Sequence, residues 1–275
     1  YEPEIGLLLN IDKDHQEIDE LIDLFTVFKN NTRGLFIVNQ FNTLTKMLSE
    51  NAQHDFGFED TQAGYNATDF KQDGFVLHFN MSGQHFEMIA IGRHSVENAA
   101  AAVAVANQIG VSLETCAESL KHYEGIYRRH QILGQKNGVW IIDDYAHNPA
   151  KCAASIRACQ PLAERVIAWF QPHGYKPTKF LRNDFVQEIS DALRPQDEIW
   201  MSEIYYVGGT VIKDISANDL VNDIISKGKF ARFVEDRNHL LEALRPELKP
   251  GTVLLLMGAR DPSLEKFSSD LFENL

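Results

Sequence analysis

The sequence predicts an α/β protein in two parts: a partial mixed sheet with helices and an antiparallel edge, then a doubly wound, largely parallel sheet. Three observations predict it. Short apolar runs near 138–142, 165–170, 197–202 and 252–257 alternate with helical patterns, as buried parallel strands joined by crossover helices do. Between 64 and 92 the period changes to strand-like runs broken by turn residues. A polar stretch with three glycines, EGIYRRHQILGQKNG at 124–138, separates the two patterned regions and reads as the junction. The boundary is set at 129/130, giving parts of 1–129 and 130–275, in keeping with about 100–200 residues per domain.

The elements follow in order. IGLLLNI (5–11) is an unbroken apolar run and reads as a buried strand. In the next stretch Ile18, Leu21, Ile22, Phe25 and Phe28 recur at helical spacing. GLFIVN (34–39) is a second strand and TLTKMLSEN a second helix. GYNATDF, GFVLHFNM and HFEMIAIG, separated by KQDG and SGQ, read as an antiparallel meander. SVENAAAAVAVANQIG is an alanine-rich helix with Gly110 past its end, and SLETCAESLKHY another with Ser112 as N-cap. After the junction come strand VWIID, a helix from Pro149 to Cys159, strand RVIAWF, a helix around 180–193, strand EIWMS and helix ANDLVNDIISKG. Short strand ARFV, helix RNHLLEAL, strand TVLLLMG and a helix from Pro262 complete the chain.

The formal charge of −13 repels phosphate backbones, so nucleic acid is excluded as a partner, while a nucleotide held by local basic groups is compatible with it. Cys116, Cys152 and Cys159 are odd in number and lack CxxC spacing, which points to buried thiols in a reducing, cytoplasmic setting rather than to disulfides or zinc. No apolar run approaches the ~18 residues of a membrane span.

In a doubly wound sheet, ligands gather at the carboxyl ends of the strands. Here those ends are polar. IIDDYAHNPA presents Asp143, Asp144, Tyr145, His147 and Asn148; FQPHGYKPTK presents Gln171, His173, Lys176 and Lys179; MGARDPS presents Arg260 and Asp261. Each has a plainer reading, since Asn148-Pro149 and Asp261-Pro262 also suit helix starts. In the first part, NIDKDHQE places Asn10, Asp12, Asp14 and His15 at a strand-to-helix turn, either as donors to a divalent cation or as caps. GRHSVEN places His94 and Asn98 one turn apart on a helix face, able to meet a flat heterocycle or simply solvated. Arg128 and Arg129 at the junction are solvated cations or phosphate contacts.

Taken in order, NIDKDH, GRHSVENAAAA, YRRHQILG, DDYAHNP, FQPHGY and GARD resemble the Mur ligase family, which joins a cell-wall precursor to an amino acid or peptide using ATP. DDYAHNP and FQPH look most like the branch acting on the lactyl carboxylate of UDP-N-acetylmuramate, with L-alanine or a peptide as amine. Folylpolyglutamate and cyanophycin-type ligases, or a non-catalytic nucleotide-binding homologue, are the alternative relatives.

The resemblance implies a central ATP-binding domain at 1–129 and a Rossmann-like C-terminal domain at 130–275, with ATP and Mg²⁺ as cofactors. It also implies that the chain is a fragment, inactive alone. The family's UDP-binding domain is absent. No phosphate loop is present either, and the nearest match, Gly228-Lys229, is followed by Phe230. By the same resemblance, His15 is the metal-ligand histidine, and His94 and Asn98 contact adenine. Arg129 or Arg128 reaches the nucleotide. Asp144 stands near ribose and phosphates, and His147, Asn148, His173, Lys176 and Lys179 line the acceptor side. Ser95 and Gly174 depart from the family, where Asn and Arg are usual. The expected chemistry is attack of the sugar acid's carboxylate on the γ-phosphate, then amine attack on the acyl phosphate between closing domains.

Overall fold

The structure is a computed structural model describing residues 1–12, 17–206, 208–210 and 212–275. It divides into two compact units, Tyr1–Glu124 and Gly125–Leu275.

The first unit opens with β1 (Ile5–Leu8), α1 (Ile18–Asn30), β2 (Leu35–Val38) and a short α2 (Thr43–Lys46), with β1 and β2 parallel. Residues Leu21, Ile22, Phe25 and Phe28 of α1 pack onto Leu8, Ile11, Phe36 and Val38, as the helical spacing predicts. The helix forecast over 43–51 is only one turn long, started by the Asn42 side chain, which accepts from the Leu44 and Thr45 amides. Sequence pattern also missed β3 (Phe56–Phe58), three buried residues bridged to Asn39 just past β2. β3 pairs in parallel with β4 (Tyr65–Asp73), and β4, β5 (Val76–Met81) and β6 (Gln84–Ile89) form the expected antiparallel meander.

Above β3, β4 and β5 lies α3 (Arg93–Gln108), and α4 (Leu113–Lys121) packs on β6. The alanines explain the closeness. Ala99, Ala100, Ala101 and Ala104 are buried beside Val96 and Val103 against Phe56, Phe79 and Phe86. Gly92, at φ 80°, is the residue from which α3 turns off β6. The Ser112 side chain accepts from the Thr115 amide, the forecast N-cap of α4.

In the second unit, β7 (Gln131–Lys136) and β8 (Val139–Asp144) form an antiparallel pair. The stretch 124–138 is therefore not all junction. Its latter half is an edge strand, with a register shift at Gly134 (φ 141°). The remaining elements are α5 (Pro149–Cys159), β9 (Arg165–Gln171), α6 (Tyr175–Phe180), α7 (Arg182–Ala192), β10 (Glu198–Met201), α8 (Ala217–Ser226), β11 (Phe230–Phe233), α9 (Leu240–Leu244), β12 (Thr252–Gly258) and α10 (Leu264–Asn274). The helix expected around 180–193 is α7, and a short α6 that the pattern did not show precedes it, the two separated at Leu181.

The sheet order is β11-β10-β9-β12-β8-β7, parallel apart from β7. Val139, Ile141, Ile167, Trp169, Leu254 and Leu256 cover one face and pack on Leu240 and Leu244 of α9 and Leu264 and Leu271 of α10. Helix α5 lies against β9 and β12 and packs on α7, which reaches Phe170 through Phe185. Fully burying each such leucine or phenylalanine contributes about 1.5–3 kcal/mol. This is the doubly wound arrangement the alternation predicts. All three cysteines are free and buried, and burial pushes the Cys152 and Cys159 thiols well up. Among the described residues no helix is long and apolar enough to cross a membrane.

Candidate functional site

Strands β8, β12 and β9 are parallel neighbours, and their register aligns three polar ends. Met257 pairs with Asp144 and with Phe170, and Gly258 pairs with Gln171. The segments DDYAHNP, FQPH and GARD, far apart in sequence, therefore leave the sheet side by side. β12 returns between β8 and β9, so the chain crosses over here, where open α/β sheets place ligands.

Successive strand residues face opposite sides, so the two aspartates diverge. Asp143 faces Arg128, which donates from Nε at 3.0 Å and from Nη2 at 3.3 Å. Nη2 also donates to the Gly258 carbonyl at 3.0 Å, tying the start of the unit to β12. Arg128 is 8% exposed and Asp143 2%. Burial pushes the Asp143 carboxyl above its usual range, with Arg128 pulling the other way. Residues 125–129, assigned to the first part from sequence, thus belong by their contacts to the second unit.

Asp144 turns to the α5 face. Its carboxylate accepts from the Ser155 hydroxyl and from the His130 amide at 3.3 Å, and the His130 ring lies 3.5 Å away. At 4% exposure it is not the open carboxylate that the sequence suggests at the rim; it is held inside the unit by local partners. Burial holds the His130 imidazole below its ordinary value, although Asp144 draws it upward.

Beyond Asp144 the chain opens outward. The Tyr145 amide donates to the Arg128 carbonyl at 2.8 Å, and the guanidinium carbons of Arg128 and Arg129 each stand 5.4 Å from the Tyr145 ring centre. Arg128 is locked on Asp143, whereas Arg129 is exposed. His147 Nδ1 lies 2.9 Å from the Tyr145 carbonyl. A carbonyl only accepts, so Nδ1 carries the proton and Nε2 the lone pair in the neutral ring. The His147 and His173 rings are 5.6 Å apart, joining the first two motifs. Asn148 is a helix cap, its side chain accepting from the Lys151 amide at 2.9 Å ahead of Pro149.

On α6, after β9, Lys176 is exposed and Lys179 pairs with Asp214. Tyr205, Tyr206, Gly208 and Arg260 line an open cavity of about 470 Å³, adjoining His173 through the bridge to Tyr205.

Sequence reading passed over Arg237. It donates from Nη1 to Gln171 at 2.6 Å and to Asp261, and from Nη2 to Ser263 at 2.6 Å. Burial opposes charge on Asp261, yet the Ser263 bonds and Arg237 outweigh it and hold the carboxyl below its usual range. Arg237 thereby fixes the β9 end to the β12 end. Its signal in sequence was only a cation at the start of an amphipathic helix.

In the first unit, His94 is half-buried and Asn98 exposed near the start of α3. Beside them Arg93 donates from Nε to Glu97 at 2.8 Å and lies 4.6 Å from the Phe41 ring centre. The Ser95 hydroxyl donates back to the Ile91 carbonyl at 2.8 Å, so this departure from the family serves the helix start. His15 and Asp14 lie outside the described residues. Asp12 does not cap α1; its carboxylate accepts from the Asn10 amide.

Comparison with known proteins accords with these motifs. The profile described as the Mur ligase middle domain matches residues 1–106, and that described as the Mur ligase glutamate ligase domain matches 128–260. A UDP-N-acetylmuramate–L-alanine ligase of Geobacter sp. strain M21 is 33% identical, the alignment covering 94% of this chain and 58% of that protein. One from Carboxydothermus hydrogenoformans is 30% identical with the same coverage. The chain thus spans less than two thirds of the curated relatives it matches.

Among solved structures, the UDP-N-acetylmuramate–alanine ligase of Thermotoga maritima superposes with a TM-score of 0.75 at 22% identity, over 100% of this chain and 60% of that one. MurF of Acinetobacter baumannii gives 0.77 at 20%, over 99% and 60%. These likenesses show a shared fold. With two family profiles matched in their order along most of the sequence, and the motifs that suggested them side by side at one sheet edge, the chain belongs to the Mur ligase family.

Proposed function

We propose that the protein is an ATP-dependent, ADP-forming ligase that joins the lactyl carboxylate of UDP-N-acetylmuramate to L-alanine or a peptide in peptidoglycan synthesis or recycling. The observation that carries this reading is the alignment of the DDYAHNP, FQPH and GARD ends on adjacent strands, with His147 and His173 5.6 Å apart. The relatives, UDP-N-acetylmuramate–L-alanine ligases, suggest the substrate class.

The first unit is the ATP-binding domain in this reading. His94 and Asn98, one turn apart on α3, meet the adenine edge. Mg²⁺ is an oxygen-seeking ion, and the exposed Asn10 and Asp12 side chains before His15 have suitable donors. The ion would neutralise phosphate charge when bound.

The second unit receives the amine. Arg129, exposed and stacked near Tyr145, is the better candidate for the nucleotide than Arg128, whose guanidinium is committed to Asp143. Asp144 acts as a positioning group, bonded to Ser155 and beside His130. His147, with its lone pair on Nε2, can accept the proton lost as the amine nitrogen bonds to the acyl carbon and phosphate leaves. His173, 5.6 Å from His147, adjoins the cavity lined by Arg260, and with Lys176 and Lys179 on the following helix it is the side on which the amine substrate's carboxylate would be held. Asn148 shapes the start of α5 beneath them.

The test is phosphate release by the full-length protein. It should require ATP, Mg²⁺, UDP-N-acetylmuramate and an amine together, with L-alanine, L-serine, glycine and a tripeptide compared. No phosphate release with any of these amines refutes the reading.

A further inference from the structure

The hairpin of β5 and β6 carries chemistry on the side facing away from its core. Its turn is Ser82-Gly83, both at positive φ (49° and 80°), the two-residue connection that fixes register in hairpins. Leu77, Phe79, Met81, Phe86 and Met88 are buried on one side, so His78, Asn80, His85 and Glu87 occupy the other. The register sets His78 opposite Glu87, and Asn80 opposite His85.

The two imidazoles stack with centroids 5.7 Å apart and planes 18° from parallel. One donor atom from each of His78, His85 and Glu87 lies within 4.8 Å of the others. A chain of hydrogen bonds orients the most exposed of them. Asn80 Nδ2 donates to Asp69 at 2.9 Å, and Asn80 Oδ1 lies 3.1 Å from His85 Nδ1. A carboxylate only accepts, so the Asn80 amide must present nitrogen to Asp69 and oxygen to His85. His85 Nδ1 then carries the proton, which leaves the Nε2 lone pair to coordinate. A ligand histidine with its second nitrogen anchored is the usual partner arrangement of metal sites.

We propose that His78, His85 and Glu87 form a binding site for a divalent transition-metal ion of the zinc class. Two imidazoles and one carboxylate are the donor set of open zinc sites, with water completing the shell, whereas Mg²⁺ and Ca²⁺ favour oxygen alone. Bonds of about 2.0–2.1 Å place tetrahedral ligands roughly 3.3 Å apart, so the side chains draw inward as the ion binds. Lys71 stands across from His78 but directs its ammonium to Asp73, 3.6 Å away. The site is on the first unit alone and is independent of the proposed ligase chemistry.

The test is titration of the whole chain with Zn²⁺, followed by calorimetry, and with Co²⁺, followed by its visible absorption. The native protein should take up an equivalent at micromolar metal that H85A and E87Q lose by tenfold or more in affinity. N80A should weaken it about tenfold by freeing the His85 ring, with unchanged circular dichroism. Lys71→Gln should tighten it. Absence of any saturable equivalent in the native chain, or an equivalent retained in the H78A/H85A double variant, overturns the proposal.

Discussion

Arg128 and Asp143 form a two-bonded ion pair inside the second unit, with donor distances of 3.0 and 3.3 Å, and the same guanidinium holds the Gly258 carbonyl at 3.0 Å. The pair therefore joins the first residues of the unit, the end of β8 and the end of β12. Its role is architectural, and the polar strand end that looks catalytic in sequence is in part a clamp.

Breaking the clamp from one side leaves a buried carboxylate unpaired. R128M should destabilise the second unit by about 3–5 kcal/mol in urea unfolding. The paired change R128M/D143L should recover much of that loss, because both charges are then gone. Equal losses in the single and double variants would show that the bond to the Gly258 carbonyl dominates.

His130 makes stability depend on pH. Burial holds its folded-state value below the ordinary ~6.5, so the unfolded chain binds the proton more readily. Stability should be full above about 6.5 and fall as pH drops below that value towards the folded one. H130Q should flatten the slope within that window. Urea midpoints measured from neutral pH down to about 5 check this; an unchanged slope in H130Q assigns the proton to another group.

Arg237 ties Gln171, Asp261 and Ser263 together, three residues at two strand ends. Its fork reaches them from two nitrogens, which one ammonium cannot reproduce. R237K should therefore be destabilised almost as much as R237A, by roughly 2–4 kcal/mol, since each leaves the largely buried Asp261 carboxylate under-satisfied. Full stability in R237K would mean that charge alone suffices.

What was legible in sequence follows from these particulars. The central strands of the second sheet were readable because they are apolar on both faces; Thr252–Gly258 is buried at every position. β7 was not, because Gln131–Lys136 is a half-buried edge strand rich in polar residues. The two aspartates were readable as an unusual strand end. Their separate duties were not, because Arg128 and Ser155 lie 15 and 11 residues away and meet them only through the sheet. Arg237 was hidden for the same reason, 66 residues from Gln171. His78 and Glu87 read as ordinary outward residues of a meander, because register, not composition, brings them together.

Gly174 gives the last prediction. The resemblance leads one to expect arginine there, and a cation beside the His173 loop would suit an acidic substrate. The backbone forbids it cheaply. Gly174 sits at φ 72° and ψ 118°, a region open almost only to glycine, while its amide donates to the Tyr205 carbonyl at 2.9 Å and its carbonyl accepts from the Thr178 hydroxyl at 2.8 Å. These bonds fix the conformation, so any side chain is strained. G174A and G174R should each lose about 1–3 kcal/mol in urea unfolding, by similar amounts, because the strain arises at Cβ. Native stability in G174R would show that the loop has a second conformation that arginine can occupy, and the glycine would then matter for charge rather than for backbone shape.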